Sequence, residues 1–327
     1  MIRDEQPVIG ESPAFLEMLD QVSRAAPMDR PLLIVGERGT GKELVAERIH
    51  FLSPRWDQPL VKLNCAAISE SLLESELFGH EAGSFTDATQ RRLGRFETAH
   101  GGSLFLDELA NTTPAVQEKI LRVIEYGQFE RLGSSRTTTV DVRLIGAANV
   151  DLAALAEQGR FRSDLLDRLA FDVITLPPLR ARREDILPLA EHFAMRMSRE
   201  LGRSLFAGFD PAITARLLDH PWPGNVRELK NVVERTIYRH EAADEPVSDI
   251  VLDPFDSPWR PASQTAPKAQ IPDLPLDLRD HLNQQEKALA QRALDLSRGH
   301  QGQAAELLGL TYDQLRGILR KHGLAGR

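Results

Sequence analysis

A glycine-rich segment directly after a short apolar run constrains this chain more than any other feature. Residues 32–35 are Leu-Leu-Ile-Val, which is typical of a buried parallel strand, and the next seven residues fit the pattern G-x-x-x-x-G-K. Glycine has no Cβ, so backbone N–H groups in such a loop can close around an anion. A helix that begins near Gly41 adds the favourable field of its N-terminus. The segment predicts a phosphate-binding loop, with an ordinary strand-to-helix turn as the alternative; its residues are Gly36, Glu37, Arg38, Gly39, Thr40, Gly41 and Lys42.

An acidic pair later in the chain supplies the chemistry that a phosphate loop suggests. Residues 104–106, Leu-Phe-Leu, predict a buried strand, with Asp107 at its carboxyl end and Glu108 beside it. A carboxylate at that position can hold Mg²⁺ across nucleotide phosphates while Lys42 reaches the β- and γ-phosphates. Glu108 can polarise a water molecule as general base, so the pair implies ATP hydrolysis. The generic loop pattern has Ser or Thr after its lysine, and this chain has Glu43.

Strand patterns alternate with helical patterns through the first half of the chain. Further apolar strands are predicted at 60–63 and 142–149, and Asn64 and Asn149 stand at their carboxyl ends. Residues 13–26 predict a helix with Phe15, Leu16, Leu19 and Val22 on one face. This alternation predicts an α/β fold, a parallel sheet with helices on both faces, and ligands bind such sheets at the carboxyl ends of the strands.

Composition places the chain among globular proteins of the cytoplasm. It has 27% charged and 42% apolar residues, no apolar run of membrane-spanning length, and acidic residues near the N-terminus where a signal peptide would be basic and then apolar. Its one cysteine, Cys65, excludes an intramolecular disulfide and a thiolate zinc cluster. We interpret Cys65, within an apolar run, as a buried structural thiol.

Proline-rich stretches divide the chain into four parts. The α/β part spans 1–176 and ends at LPPLRARRED, and a mainly helical part spans 177–251. Residues 252–277 are rich in proline and predict a linker without a core. The last part spans 278–327, where eight Lys/Arg stand against five Asp/Glu although the whole chain carries −8. A basic terminal part in an acidic chain suggests contact with a polyanion.

That terminal part fits a helix-turn-helix. A first helix is predicted at 303–308 and a second at 312–321, with Thr311 as N-cap. We expect Leu307, Leu308, Leu310, Leu315, Ile318 and Leu319 to pack the motif. Outward-facing side chains would contact DNA bases and phosphates, the alternative being a hairpin that only dimerises; the predicted DNA-binding residues are Thr311, Tyr312, Asp313, Arg316 and Arg320.

Several separate stretches resemble one family, the bacterial enhancer-binding proteins, along nearly the whole chain. They are GERGTGKE, ELFGHEAG, GRFETAHGGSLFLDE, FRSDLLDRL and WPGNVRELKN. Members of this family are AAA+ ATPases that activate transcription by the sigma-54 RNA polymerase holoenzyme. The resemblance implies an AAA+ ATPase with a helical lid, a Fis-type helix-turn-helix that binds upstream DNA, and remodelling of the closed promoter complex by a hexameric ring.

The resemblance also implies roles for individual residues. Glu43 is the family's usual residue after the loop lysine, Asn64 would restrain Glu108 until ATP is sensed, and Asn149 would sense the γ-phosphate. Spacing alone leaves Arg162 and Arg168 as members of surface salt bridges, whereas the resemblance implies that they reach the ATP of a neighbouring subunit. Arg227 would be a second sensor on the lid. The ATPase begins almost at the first residue, so we expect regulation in trans by a PspA-like inhibitor, with the loop of Trp56 as a candidate surface.

One loop departs from the family pattern. An aromatic among poor helix formers at 76–92 suggests a contact surface, with a turn tucked into the core as the alternative. The family's sigma-54-contacting loop has the sequence GAFTGA at this place. Residues 83–88 are Gly-Ser-Phe-Thr-Asp-Ala, so the contact pair Phe85 and Thr86 is kept while Ala becomes Ser84 and Gly becomes Asp87. The charge at Asp87 leaves open a DNA-binding ATPase uncoupled from sigma-54, a repressor or decoy. A third possibility, an unfoldase of protein substrates, is disfavoured by the DNA-binding part.

Overall fold

The computed structural model describes residues 8–84, 90–203, 205–242, 244–255, 259, 277–297 and 299–324. The chain divides into two compact units, Met1–Pro254 and Phe255–Arg327. The predicted sigma-54 contacts Phe85 and Thr86, together with Asp87, lie outside the described residues, as does most of the predicted linker.

A five-stranded parallel sheet organises the first unit. Its strands are β1 (Leu32–Val35), β2 (Leu60–Asn64), β5 (Ser103–Asp107), β8 (Arg143–Ala148) and β9 (Val173–Thr175), in the order β2-β5-β8-β1-β9. Four of these strands follow the sequence prediction, whereas β9 was not predicted. In β5 the fully buried side chains alternate between two cores, Leu104 and Leu106 on one face and Phe105 on the other. The sheet is therefore covered on both faces, as the α/β prediction requires.

The helices of this part are α1 (Pro13–Ala25), α2 (Lys42–Phe51), α3 (Glu70–Phe78), α4 (Arg95–Thr98), α5 (Pro114–Tyr126), α6 (Leu152–Glu157) and α7 (Ser163–Leu169). The predicted inner face of α1 was wrong in one place, because Leu16 is 51% exposed and Met18 is buried instead. Phe15, Met18 and Val22 are spaced by three and four residues, which keeps them on one helical face, whereas Leu16 is rotated about 100° from Phe15.

Two small hairpins project from the helical connections. One pairs β3 (Gly79–His80) with β4 (Arg92–Leu93), and the other pairs β6 (Gln128–Glu130) with β7 (Thr137–Thr139). The β3–β4 pair forms the base of the segment that carries the predicted sigma-54 contacts. Arg131, after β6, donates hydrogen bonds of 2.8 Å to Glu97 in α4 and of 3.0 Å to Glu81 after β3, so the β6–β7 connection is joined to α4 and to the segment that follows β3.

A helical lid follows the sheet. It contains 3-10 turns at Leu179–Ala181 and Arg183–Asp185, then α8 (Ile186–Glu200), α9 (Pro211–Asp219) and α10 (Asn225–Arg239). The lid has its own core, in which Trp222 is fully buried and donates its indole N–H to the Leu217 carbonyl at 2.8 Å.

The second unit contains α11 (Leu278–Leu296), α12 (Gln301–Leu307) and α13 (Tyr312–Lys321). Thr311 caps α13 in a reciprocal capping box with Gln314. The prediction that Leu307 packs this motif was wrong, because its side chain is 61% exposed. The small side chains of Ala304 and Ala305 fill that role, since they let α12 approach α13 closely. No helix in the described ranges is long and apolar enough to cross a membrane.

Candidate active site

The glycine-rich loop joins β1 to α2 at the carboxyl edge of the sheet. Gly39 and Gly41 have φ of 82° and 102°, which glycine adopts without strain. Thr40 is buried, and its hydroxyl donates to the Glu37 carbonyl at 2.8 Å. The loop therefore has the wound backbone that the phosphate-loop pattern predicts; its remaining predicted members, Gly36 and Arg38, lie before and within the same turn.

Lys42 opens α2 and is only 8% exposed. Its ammonium donates to the carbonyls of Gly36 at 2.9 Å and Glu37 at 3.2 Å. Burial lowers the pKa of Lys42, while the negative charge of Asp107 acts in the opposite direction. The next residue, Glu43, is exposed and accepts a 2.9 Å hydrogen bond from Lys62.

Asp107 ends β5, directly opposite Asn64 at the end of β2. The Asn64 amide donates to Asp107 Oδ2 at 3.5 Å, and the Glu108 backbone N–H donates to Asp107 Oδ1 at 2.9 Å. Burial raises the pKa of the Asp107 carboxyl, and the positive charge of Lys42 opposes that rise. The lysine and this carboxylate thus lie close enough for each to shift the pKa of the other.

Glu108 has a left-handed backbone, with φ of 53° and ψ of 45°. This conformation is uncommon for a residue with a side chain and clusters at functional sites. Its carboxylate accepts a 3.3 Å hydrogen bond from Asn111, and within the described residues no hydrogen bond joins it to Asn64. Restraint of Glu108 by Asn64 therefore stays a prediction.

The other predicted residues lie in different places. Asn149 is exposed immediately after β8, at the same sheet edge. Arg227, in the first turn of α10, lines the same cavity as Lys42, and its backbone N–H donates to the Gly39 carbonyl at 3.3 Å. Arg162 and Arg168 pair with Asp164 at 2.7 Å and Glu125 at 2.9 Å on the surface, and neither lines this cavity.

The cavity has a volume of about 700 Å³ and is lined by both charged and apolar side chains. Lys42, Asp107 and Arg227 are among the charged ones. Sequence reasoning missed the part of the apolar lining that comes from distant segments, namely the N-terminal residues, α1 and the lid helices α8 and α10; these residues are Val8, Ile9, Phe15, Leu189, Phe193 and Val226. Only the fold brings these segments together.

The donor set fits a magnesium nucleotide and not a metal held by protein ligands alone. No group of three or more His, Cys, Asp or Glu side chains in the described residues could hold a metal ion. Mg²⁺ is commonly bound through one or two carboxylates together with substrate phosphates and water, and Asp107 supplies such a carboxylate beside the phosphate loop.

The second unit presents a separate polar face. Tyr312, Asp313, Arg316 and Arg320 are all exposed on α13, while Leu315 and Leu319 of the same helix are buried. Thr311 is exposed, with its hydroxyl used in the cap. The predicted outward face of this helix is therefore present in the structure.

A phosphate loop on β1, a carboxylate on β5 and an arginine on a helical lid meet at one cavity. Together with the sheet order, they define a nucleotide-binding ATPase of the AAA+ class. Three family matches extend this assignment along the chain: residues 8–175 match the Sigma-54 interaction domain, 180–251 the AAA+ ATPase lid domain, and 281–322 the Fis family of bacterial regulatory proteins.

Two curated relatives support the same family assignment. The chain is 57% identical over 316 residues to the Psp operon transcriptional activator of Escherichia coli (strain K12), covering 96% of this chain and 97% of the relative. It is 44% identical over 311 residues to the Nif-specific regulatory protein of Azotobacter vinelandii, covering 95% of this chain and 58% of that protein.

Two solved structures also match the fold of this chain. NtrX from Brucella abortus in complex with ATP matches with a TM-score of 0.69 and 35% identity, over 97% of this chain and 69% of that chain. Its complex with ADP matches with a TM-score of 0.68. The chain belongs to the family of sigma-54-dependent transcription activators, with an AAA+ ATPase that binds nucleotide and a helix-turn-helix DNA-binding domain.

Proposed function

We propose that this activator binds upstream DNA, assembles as a hexameric ring, and uses Mg²⁺-dependent ATP hydrolysis between subunits to remodel a closed sigma-54 promoter complex. The observation that carries the proposal is the convergence of Lys42, Asp107 and Arg227 on one cavity in a chain with a sigma-54 interaction domain. The relative named as Psp operon activator supports a role of the phage-shock type.

The residues that line the cavity have distinct tasks in hydrolysis. The loop N–H groups and Lys42 bind the β- and γ-phosphates, and the apolar side chains of the lining accommodate the adenine ring. Asp107 would hold Mg²⁺, which when bound neutralises charge on the phosphates. Glu108 lies next to Asp107 in the chain and orients a water molecule toward the γ-phosphate as general base.

Residues around this cavity report the state of the nucleotide. Asn64 already contacts the Asp107 carboxylate at 3.5 Å, so a change at the metal-binding carboxylate reaches Asn64 directly. Asn149 stands at the same sheet edge as a γ-phosphate sensor, and Arg227 approaches from the lid. Arg162 and Arg168, which do not line their own subunit's cavity, act on the ATP of a neighbour.

Coupling to polymerase depends on the segment held by the β3–β4 hairpin. Phe85 and Thr86 in that segment contact sigma-54, and α13 in the second unit contacts DNA through the major groove. The relatives offer no support for an uncoupled repressor, but Asp87 stands where the family pattern has glycine.

A regulator of the PspA type is the proposed partner that restrains the ring. Trp56 is 63% exposed, and neighbouring Arg55 fixes its loop through 2.7 Å ion pairs with Asp29 and Asp141. An exposed aromatic on a rigid support is suited to protein recognition.

The experiment that tests this function is open-complex formation on a sigma-54 promoter with purified protein and ATP. An Asp87→Gly variant is assayed beside the native chain, with ATPase activity recorded in the same tubes. The proposal predicts that the native chain opens the promoter while hydrolysing ATP. If the native chain hydrolyses ATP and only Asp87→Gly opens DNA, the proposed coupling is wrong for this protein.

A further inference from the structure

The first residue of α10 is a buried asparagine that contacts both the start of the lid and the phosphate loop. Asn225 is 0% exposed and has φ of 52°, a left-handed conformation. Its side-chain oxygen accepts a 2.8 Å hydrogen bond from the Leu179 backbone N–H, at the start of the lid. Its amide nitrogen donates to the Arg38 carbonyl and to Glu37 Oε2, both at 3.1 Å. One side chain thus joins three separate segments.

Glu37 is held from a second direction by Arg180. The guanidinium forms two hydrogen bonds with the carboxylate, at 2.8 Å and 2.5 Å, in a forked geometry that is specific as well as strong. These contacts lower the pKa of Glu37 to about 2, the Arg180 hydrogen bond being the main cause and that of Asn225 the next. The carboxylate is therefore a fixed anion at any ordinary assay pH. We refer to Glu37, Arg180 and Asn225 as the clasp.

The clasp contributes to a series of hydrogen bonds that the backbone carbonyls of the phosphate loop accept. The carbonyls of Gly36 and Glu37 accept hydrogen bonds from Lys42, and that of Glu37 also accepts one from Thr40. The next two carbonyls, of Arg38 and Gly39, accept hydrogen bonds from the lid, through the Asn225 side chain and the Arg227 backbone N–H. Four successive carbonyls are thereby engaged within the protein. A carbonyl that faced a phosphate would repel it, so engaging these four carbonyls within the protein reduces that repulsion.

Close packing supports the same contact. A Cβ at Gly39 would lie 2.3 Å from the Gly224 carbonyl oxygen, so the loop touches the turn before α10 with no room for a side chain. A glycine-rich loop has much backbone freedom, and ordering it on binding would reduce affinity. Contacts that order the loop beforehand remove that penalty.

We propose that Asn225 and Arg180 are positioning residues for nucleotide binding, which hold the phosphate loop through Glu37 and Arg38 in its anion-binding conformation. The lid would then set nucleotide affinity through residues outside the phosphate loop itself. This inference rests on nucleotide binding at the cavity and not on coupling to sigma-54, so it can fail while the proposed function stands.

The test compares Asn225→Gly with the native full-length chain. Glycine keeps the positive φ without strain and removes only the side-chain bonds. We expect the Kd for ADP, measured by calorimetry, and the KM for ATP to rise about tenfold, which corresponds to about 1.4 kcal/mol. We expect kcat to stay within about twofold, because saturating nucleotide orders the loop in the variant as well. If the substitution only reduced the amount of folded protein, the apparent kcat would fall in proportion and KM would stay unchanged.

Two further variants make the result decisive. Thr236→Val is the matched control, since it removes a buried hydroxyl of the same helix that has no hydrogen-bond partner among the described residues, and its KM should be native. Arg180→Gln changes a half-exposed side chain, so it tests the clasp even if Asn225→Gly does not fold. Arg180→Gln should raise KM about threefold. In the double variant with Asn225→Gly, the fold-increase in KM should be smaller than the product of the two single-variant increases, because both side chains contact the same carboxylate. A native KM and ADP affinity in folded Asn225→Gly, or in Arg180→Gln, would overturn the proposal.

Discussion

At the scale of single residues, burial is what tunes the proposed catalytic groups. Desolvation lowers the pKa of Lys42 and raises that of Asp107, and in each case the opposite charge of the partner limits the shift. Nucleotide phosphates and their metal would add charge of both signs to this cavity. The two side chains are therefore placed where small changes in ligand charge have large electrostatic effects.

Removal of either the Lys42 or the Asp107 side chain should stop ATP hydrolysis. We expect Lys42→Ala and Asp107→Ala to reduce kcat by at least about 10²–10³, since each removes a preorganised charge from the phosphate site. Steady-state phosphate release measures this effect. Arg24→Ala, which changes an exposed cation that forms an ion pair with Asp20, is the control and should keep native activity. Substantial ATPase in either site variant would refute the assignment of the cavity.

Sequence patterns predicted those site residues that lie within one short motif. The loop of residues 36–42 and the pair Asp107 and Glu108 are contiguous, and their spacing carries the chemistry. Asn225 could not be found in this way, since its importance depends on a left-handed turn that brings it to Glu37, 188 positions earlier. The sequence does contain a proline-glycine turn before a helix at this place, but that pattern predicts only where the helix begins.

At the scale of elements, strongly periodic segments were predictable and short ones were not. Four sheet strands follow from apolar runs, but β9 has only three residues, two of them exposed. It is a strand because β1 offers a free edge to pair with, which is a tertiary effect. Helix faces were predicted wrongly at Leu16 and Leu307, which were both expected in the core and are exposed. Met18 is buried in place of Leu16, and the smaller Ala304 and Ala305 are buried in place of Leu307.

The ion pair between Arg131 and Glu97, which joins the β6–β7 connection to α4, should make the free energy of unfolding depend on pH. The Arg131 hydrogen bond lowers the pKa of Glu97 below its ordinary value of 4.5, so the folded state favours the charged carboxylate. Its stabilisation is complete above about pH 4.5 and is lost as pH falls through the lowered pKa. We expect Glu97→Gln to reduce the free energy of unfolding by about 1–3 kcal/mol at pH 7.

Thermal melting of both proteins from pH 7 to pH 3 measures this. The difference between native chain and Glu97→Gln should shrink in the acid range, because both then carry a neutral group at this position. A difference that stays constant with pH would show that the ion pair is not its source.

The exposed face of α13 should determine the affinity for DNA. We expect Arg316→Ala and Arg320→Ala each to weaken binding, and to reduce the slope of affinity against salt by about one if the arginine contacts a phosphate. Fluorescence anisotropy with an upstream-site duplex at several salt concentrations measures both effects. Arg24→Ala, on α1 in the other unit, should leave binding unchanged. Native affinity in both α13 variants would exclude this face as the DNA contact.

At the scale of the whole molecule, the proposed mechanism requires more than one copy of the chain. Lys42 and Asp107 share a cavity within one chain, whereas Arg162 and Arg168 are on the surface and paired with acidic side chains of α5 and α7. If these arginines complete a neighbour's site, hydrolysis depends on assembly. The sequence alone could suggest this only by resemblance, because a single chain has no signal for a contact made in trans.

Mixing of two inactive variants tests the arginine role. Arg168→Ala should reduce ATPase by about 10³, within the range for arginine fingers in other phosphoryl-transfer enzymes. Lys42→Ala supplies an intact Arg168 beside a defective phosphate loop, so mixed rings should contain some complete sites and recover part of the activity. Absence of any recovery, with mixed assembly confirmed by native mass spectrometry, would contradict action in trans.

Hydrolysis at this cavity should drive promoter opening, and the Glu108→Gln variant separates nucleotide binding from hydrolysis. This variant keeps the shape of the site and removes the general base, so we predict native affinity for ATP, loss of hydrolysis, and no open complex on a sigma-54 promoter. Permanganate footprinting of the promoter, with phosphate release measured in the same reaction, gives both readouts. Promoter opening by Glu108→Gln without hydrolysis would show that hydrolysis at this cavity does not drive opening.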